Sequence, residues 1–311
     1  MNAFFRVLAV AAAVGLVIPS FTLAQQAAQP AAAPQIVPVQ QPLTPPPPPS
    51  WQQGRPDSMK SSTLAPNPPG LTAKPASEMK LDRIKLPPGF KIELWAEGLP
   101  NARSIAVGDK GTVFVGTRLI EDVYAVIDSA GKRQVKIIAR GLHRPNGVVF
   151  HRGDLYVAEL SRILRFRDIE SKLDNPPAPE VVFDALPSNE PHGWKFMAMG
   201  PDNWLYFNIG APCNICVPPD THAQIVRVDP NKGVLETVVK GVRNSVGITF
   251  HPMTKEMWFT NHGRDWMGED VPHDTLHRIA GKGQHAGYPY CHQGDLPDPE
   301  YGKGRSCTEF T

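Results

Sequence analysis

Residues 141–167 read GLHRPNGVVFHRGDLYVAELSRILRFR. The stretch opens with a glycine and an apolar residue, Gly141-Leu142, and continues with two short apolar runs separated by a polar turn. A third run, Arg162–Arg167, closes it. Residues 241–260, GVRNSVGITFHPMTKEMWFT, repeat the beginning of this order. Self-similarity at a fixed period indicates a repeat architecture more strongly than any single motif does.

Four such units follow one another from Pro88 onward. Their Gly/Ala positions, at 98, 141, 185 and 241, give spacings of 43, 44 and 56 residues. Each unit contains a β-rich run, two strands around a polar turn, and a closing strand. The β-rich runs are Phe90–Ala96, Val135–Ala139, Glu180–Phe183 and Leu235–Val239. The paired strands are Ser104–Val107/Thr112–Gly116, Gly147–Phe150/Asp154–Ala158, Phe196–Met199/Trp204–Asn208 and Gly247–Phe250/Glu256–Thr260, and the closing strands are Asp122–Ile127, Arg162–Arg167, Gln224–Val228 and Thr275–Ile279.

Four short strands in every ~40–45 residues are typical of a β-propeller. A β-sandwich also has regular strands, but its internal details would not repeat. We therefore predict an all-β fold, a β-propeller of four-stranded antiparallel blades, with about four blades visible between residues 85 and 311. A closed ring would need strands beyond Thr311, so we expect this domain to be incomplete.

The N-terminal quarter of the chain has a different composition. Arg6, the apolar run Val7–Ile18 and the small residues near Ala24 predict a cleaved signal peptide over residues 1–24, and so a periplasmic or secreted protein. Residues 25–76 contain 14 of the 34 prolines. Proline lacks a backbone donor and favours extended chain, so residues 25–80 are expected to be a disordered Pro/Ala/Gln-rich linker.

Charge and hydropathy exclude two partner classes. Lys and Arg (32) nearly balance Asp and Glu (30), and no basic block occurs, which argues against nucleic-acid binding. The apolar run of residues 7–18 is shorter than the ~20 residues that span a bilayer. We expect no integral membrane segment once the signal is removed.

Four cysteines, Cys213, Cys216, Cys291 and Cys307, belong to an exported chain, for which disulfides are the default. Cys291 and Cys307 enclose 15 residues. Cys213-Asn-Ile-Cys216 has the spacing of a redox motif, but its Pro-rich loop favours a short structural disulfide. A four-Cys zinc site is disfavoured by the spacing, and covalent haem would need a histidine where Val217 stands.

One loop position carries a basic or titratable side chain in three successive units. Counting seven residues back from the strand ends Phe150, Met199 and Phe250 gives His143, His192 and Arg243. A propeller places equivalent loops around one mouth of its channel, so these side chains should converge. Such convergence predicts an anion or cofactor site, although a solvated loop residue remains an equal interpretation of His143.

The segments GVRNSVGITF (241–250), TNHGR (260–264) and GYP (287–289) resemble the quinoprotein glucose/sorbosone dehydrogenases. So does Pro191-His192, placed eight residues before Gly200-Pro-Asp202. The resemblance covers residues 85–311. It implies a six-bladed propeller that holds pyrroloquinoline quinone (PQQ) and Ca²⁺ and oxidises a small-molecule sugar.

The resemblance also implies roles for matching residues. His192 matches the general base that removes the proton of the sugar hydroxyl, and Arg243 matches the catalytic cation at the quinone oxygen. Asn244 is implied to bind the cofactor, and His143 is a further candidate cofactor contact. Gly263 and Arg264 match positions whose backbone carbonyls bind Ca²⁺. No haem motif is visible, so electrons should leave to a separate acceptor.

One departure from the family pattern weakens this expectation. The glucose enzymes carry an aspartate that orients the base, and Ala211 stands at that position here. Two alternatives therefore stay open. One is a Ca²⁺-dependent lactonase-like propeller, which predicts a carboxylate-rich funnel, and the other is a non-catalytic ligand-binding propeller.

Overall fold

The computed structural model describes residues 71–189, 191–279 and 281–310. Within these ranges the regular structure consists of β-strands and short 3₁₀ turns, without an α-helix. The predicted signal peptide and residues 25–70 of the predicted linker lie outside the described residues. The end of that linker, residues 71–80, contains one 3₁₀ turn, Ala76–Glu78.

Four antiparallel sheets follow one another along the chain, each built in chain order from the inside outwards. The first contains β1 (Ala102–Val107), β2 (Val113–Thr117), β3 (Val123–Ser129) and β4 (Lys132–Ala139). The second contains β5 (Gly147–His151), β6 (Asp154–Ala158), β7 (Ile163–Phe166) and β8 (Glu180–Phe183). The third contains β9 (Met197–Met199), β10 (Leu205–Ile209), β11 (Gln224–Val228) and β12 (Leu235–Lys240), and the fourth contains β13 (Ile248–Phe250), β14 (Met257–Asn261) and β15 (Thr275–Ile279). Three two-residue strands come last, β16 (Gln284–His285), β17 (Cys291–His292) and β18 (Leu296–Pro297).

The sheets pack face to face around their first strands. Strand β1 contacts β5, β5 contacts β9, and β9 contacts β13. Apolar side chains fill the three spaces between neighbouring sheets, including Phe114 in the first, Phe207 in the second and Phe259 in the third. The chain is a β-propeller. Its loops at the strand ends are therefore brought to common faces of the molecule.

The repeated glycines have a conformational reason. Gly98, Gly141 and Gly241 have φ values of 81°, 68° and 72°, in the left-handed region that glycine reaches without a Cβ clash. The apolar residue that follows makes an equivalent hydrogen bond in three blades. These bonds run from the N–H of Leu142, Leu186 and Val242 to the carbonyls of Glu121, Ser161 and Ala223. The sequence repeat is thus a structural repeat.

Three details differ from the prediction. Phe90–Ala96 forms no strand, because no strand among the described residues lies beside it to pair with, and Phe90 is 69% exposed. The fourth blade has three strands among the described residues instead of four. Strand β16 pairs parallel with β12 through Val239–Gln284 and Lys240–His285, because the chain passes along the outer edge of the third blade after leaving the fourth. The prediction of purely antiparallel pairing is wrong at this edge.

The cysteine prediction is confirmed. Cys213 is bonded to Cys216, and Cys291 to Cys307, so that all four cysteines are paired. In the part of the chain that the structure describes, no helix has the length and hydrophobicity needed to span a bilayer.

Candidate active site

His192 lies on the turn that leads into β9, with a left-handed backbone (φ 51°) and only 6% of its surface exposed. Its Nδ1 is 2.8 Å from the carbonyl oxygen of Ala211. Because a carbonyl only accepts, Nδ1 carries the hydrogen, and Nε2 keeps its lone pair. None of the described residues is hydrogen-bonded to Nε2. The imidazole is thus held in the tautomer that a general base needs.

Ala211 connects His192 to Arg243. The N–H of Ala211 donates to the Arg243 carbonyl at 2.7 Å, while its own carbonyl accepts from His192. Gly210 lies against the same two residues, since a Cβ there would come 2.6 Å from the His192 oxygen and 3.2 Å from the Arg243 oxygen. Ala211 therefore orients the imidazole through its backbone, at the position where the resemblance leads one to expect a carboxylate.

The Arg243 guanidinium is 3% exposed and is held on two of its three nitrogens. Nε donates to the Asn214 carbonyl at 2.8 Å. Nη2 donates to the Asn214 side-chain oxygen at 2.8 Å and to Asp265 Oδ2 at 2.9 Å. Nη1 makes no hydrogen bond with a described residue. The cation is therefore fixed in orientation with one donor still available.

The Cys213–Cys216 disulfide explains how Asn214 reaches Arg243. Asn214 lies inside the small ring that this disulfide closes, and it is fully buried. Its side-chain oxygen also accepts the N–H of Asp265 at 2.7 Å. The disulfide can be predicted from the sequence, but the roles of Asn214 and Asp265 cannot. The contacts of Asn214 with Arg243 span 29 residues, and one is made by a backbone carbonyl, so local sequence carries no sign of them.

Burial dominates the electrostatics of the pair. Burial, and then the positive charge of Arg243, lowers the pKa of His192 from 6.5 to about 3. The hydrogen bond with Ala211 opposes this shift, while His262 and Arg118 add to it. Burial also lowers the pKa of Arg243, against the opposing effect of Asp265. His192 is consequently neutral at ordinary pH.

Asn244 follows Arg243 directly and is also buried. Its amide nitrogen lies 3.1 Å from His262 Nδ1, and its side-chain oxygen has no hydrogen-bond partner among the described residues. A buried polar atom without a partner is uncommon in native proteins and calls for an explanation, such as a bound group.

Gly263 and Arg264 follow β14 in the fourth blade. The N–H of Gly263 donates to Asp274 Oδ1 at 3.0 Å, which fixes the peptide that precedes it. Neither main-chain oxygen accepts a hydrogen bond from a described residue. The Arg264 side chain is buried and turns to Asp298 and Glu300.

His143 differs from His192 and Arg243. Its side chain is exposed, and its N–H donates to the Glu159 carboxylate at 2.6 Å. The structure thus brings two of the three predicted loop residues together through Ala211, and gives the third a different environment.

Arg243 and Gly263 line the same open pocket, and His192 is not among its lining residues. The other lining residues are Asn261, His262, His273, Thr275, Ala286, Tyr288, Cys291, His292 and Gln293. No three described His, Cys, Asp or Glu residues cluster in a way that could hold a metal ion.

No protein-family model matches the chain. An uncharacterised protein of Borreliella burgdorferi is 27% identical over 226 residues, which cover 69% of this chain and 59% of that protein. The chain thus spans about three fifths of the length of this relative.

Several solved structures are similar in fold. The holo PQQ domain of pyranose dehydrogenase from Coprinopsis cinerea superposes with a TM-score of 0.56 at 17% identity, over 65% of this chain and 57% of that one. The PQQ-bound aldose sugar dehydrogenase of Streptomyces coelicolor gives 0.54 at 19% identity, over 69% of each chain. A putative glucose dehydrogenase of Thermus thermophilus gives 0.53 at 21% identity, over 68% and 71%. These similarities show the fold.

Proposed function

We propose that this protein is a PQQ- and Ca²⁺-dependent sugar dehydrogenase in which His192 is the general base and Arg243 the catalytic cation. The observation that carries the proposal is the Ala211 peptide, whose carbonyl holds the neutral imidazole of His192 and whose N–H bonds to the main-chain carbonyl of Arg243. The PQQ-binding sugar dehydrogenases among the similar structures support the same chemistry.

The residues present fit the quinone. PQQ is an anionic o-quinone, and when bound it would supply an electrophilic carbon that accepts hydride. Arg243 offers the donor Nη1 from a guanidinium that is already oriented by Asn214 and Asp265. The unpartnered amide atom of Asn244 is a second polar group for the cofactor. We assign both residues to cofactor binding, with His143 as a third and more peripheral contact.

The main-chain oxygens of Gly263 and Arg264 fit a calcium ion. Calcium prefers hard oxygen ligands, and backbone carbonyls are common among them. Both oxygens lack hydrogen-bond partners among the described residues. These two positions would hold Ca²⁺ through backbone atoms, so that the Arg264 side chain would not be needed as a ligand.

The chemistry of the chain itself centres on Nε2 of His192. Nδ1 donates to Ala211, so Nε2 is the atom that would take the hydroxyl proton of the sugar. Arg243 stabilises negative charge that develops beside it, and its bonds to Asn214 and Asp265 keep it from reorganising as the charge forms.

The test is reconstitution of the full-length protein with PQQ and Ca²⁺, followed by turnover of aldoses with an artificial electron acceptor. His192→Ala should lower kcat by about 10²–10⁴-fold, the usual contribution of a positioned acid or base. Quinone binding should survive this change. Arg243→Ala should weaken both binding and turnover.

His143→Ala is the matched control, because this residue takes the same loop position in another blade but is exposed. Its effect should be much smaller. Equal losses from His143→Ala and His192→Ala would favour a general electrostatic role over a specific base. If the protein binds quinone without turnover, it is a binding propeller; if it binds none, the dehydrogenase proposal fails.

The proposal includes where the protein works. Two disulfides in one chain are typical of oxidising compartments, which supports a periplasmic or secreted enzyme. Its partners would be a small sugar and a separate electron acceptor.

A further inference from the structure

The Arg264 side chain raises a question about charge. Its backbone carbonyl is one of the two proposed for calcium, yet a buried guanidinium beside a divalent cation would repel it. In the structure, two carboxylates pair with this guanidinium. Nη1 donates to Asp298 Oδ2 at 2.8 Å, and Nη2 donates to Glu300 Oε1 at 3.0 Å. Both acceptors belong to a later segment, closed by the Cys291–Cys307 disulfide.

Asp298 is itself held on every side. It is 1% exposed, and Oδ1 accepts the N–H groups of Glu300 and Tyr301 at 2.8 and 2.9 Å. Oδ2 lies 2.8 Å from His292 Nε2 as well as from Arg264 Nη1. A carboxylate with four hydrogen bonds in a buried site cannot change its orientation at low cost. Asp298 therefore defines the place of the Arg264 guanidinium.

Glu300 contributes less to positioning the Arg264 guanidinium. Its side chain is 58% exposed, so water screens its charge. The two carboxylates that contact Arg264 thus form a graded pair, one buried and one at the surface. Substituting each of the two carboxylates in turn therefore separates the effect of a buried charge from that of a charge screened by water.

We propose that Asp298 is a positioning residue for the calcium site, which neutralises the Arg264 guanidinium and holds it away from the metal so that the carbonyls of Gly263 and Arg264 can bind Ca²⁺. The inference rests on the proposed function, because the metal is part of it. It accounts for an arginine at a position where only the backbone is used.

The experiment is calcium titration of the full chain by isothermal calorimetry, which needs neither quinone nor sugar. Asp298→Asn should weaken Ca²⁺ binding by about 10–100-fold, the usual effect of removing a group that supports a metal ligand. Glu300→Gln should change the affinity by less than about threefold, as for other exposed ion pairs. Glu309→Gln is the control, since this carboxylate lies just after the same segment and pairs with Arg305 within it.

A double variant separates charge from structural damage. Arg264→Gln leaves the backbone carbonyl in place, so Arg264→Gln combined with Asp298→Asn should restore affinity to within about threefold of the parent, the size expected of substitutions that remove no net interaction. If the double variant binds as weakly as Asp298→Asn, the role is structural and the proposal fails. Arg264→Gln alone, which keeps Asp298 paired with His292, should bind at least as tightly as the parent, and tenfold weaker binding would overturn the proposal even if Asp298→Asn did not fold.

Two outcomes distinguish this inference from the function beneath it. If the parent binds Ca²⁺ and Asp298→Asn binds equally well, the positioning role is wrong and the calcium site stands. If the parent binds no Ca²⁺, the cofactor assignment fails and this inference fails with it.

Discussion

At the scale of single residues, His192 and Lys195 lie three positions apart in the segment that precedes β9, and both are buried titratable groups. Lys195 is fully buried, and its Nζ donates to the Gly193 carbonyl at 2.5 Å. Burial lowers its pKa from 10.5 to about 7. Lysine is almost never fully buried in proteins, so the burial of Lys195 could not be predicted from the sequence, although the residue is only three positions from the candidate base. The loop position of His192 could be, because the repeat aligned it with Arg243.

The low pKa of His192 should appear in acid unfolding. Between pH 6.5 and about 3 the unfolded chain binds a proton at this residue and the folded chain does not. The contribution of His192 to the free energy of unfolding is therefore fully present above pH 6.5. It decreases as the pH drops below 6.5, by up to about 1.4 kcal/mol per pH unit. His192→Asn removes this contribution. Urea unfolding at pH 7, 5 and 4 should show the variant losing less stability than the parent, whereas exposed His143→Asn should follow the parent.

The low pKa of Lys195 should affect folding stability above pH 7. From pH 7 to about 10 the unfolded chain holds a proton that the folded chain lacks, so rising pH stabilises the fold. Relative to Lys195→Met, the parent should gain up to about 1.4 kcal/mol per pH unit across this range. Parallel curves for the two proteins would mean that the amine keeps its ordinary pKa. Lys240→Met, on an exposed lysine, is the control.

At the scale of elements, the sequence pattern predicts strands correctly where the strand pairs with another strand in the structure. Strands β2, β6, β10 and β14 agree with their predicted ranges to within a residue or two at each end. Phe90–Ala96 shows the limit of this approach, since β-propensity measures how well a residue fits a paired and half-buried surface. Without a partner strand among the described residues, an equally β-rich run stays irregular. Parallel β16 was missed because two residues carry no period.

Two glycines at equivalent positions of the repeat make a matched test of blade packing. A Cβ at Gly147, the first residue of β5, would come 2.6 Å from the Lys195 carbonyl oxygen. At Gly247, before β13, it would meet only Thr260 side-chain atoms, the nearest at 3.4 Å. Gly147→Ala should therefore destabilise the fold by about 1–3 kcal/mol, as overpacking does. Thermal unfolding of Gly247→Ala should show little change, and comparable losses in the two variants would contradict the packing argument.

At the scale of the whole molecule, the two disulfides should have opposite effects on stability and on the site. Cys291–Cys307 closes a loop of 15 residues, worth about 3 kcal/mol on the chain-entropy model. Cys213–Cys216 closes a far shorter loop but shapes the turn that carries Asn214 to Arg243. The stabilising effect of the first disulfide can be deduced from spacing, whereas the effect of the second on the site depends on the contact of Asn214 with Arg243, which no local pattern reveals.

Replacing each pair by serines should separate these effects. Cys291→Ser with Cys307→Ser should lower the free energy of unfolding by about 2–4 kcal/mol. Cys213→Ser with Cys216→Ser should cost less stability but weaken quinone binding more, because Arg243 loses its orientation. Chemical denaturation and quinone titration of both double variants measure the two quantities. This separation of effects would be contradicted if the Cys213/Cys216 variant lost more stability than the Cys291/Cys307 variant, or if it bound quinone more tightly.

The outer strands of the blades have a consequence for behaviour in concentrated solution, because an unpaired strand edge can pair with another molecule. Strand β16 covers the edge of β12, β4 carries Lys132, Arg133 and Lys136, and β8 has only four residues. Strand β15 carries a single arginine, Arg278, no other described strand covers its outer edge, and its Leu276 is 65% exposed. Self-association, where it occurs, should begin at β15, and a lysine in place of Leu276 should keep the protein soluble to higher concentration.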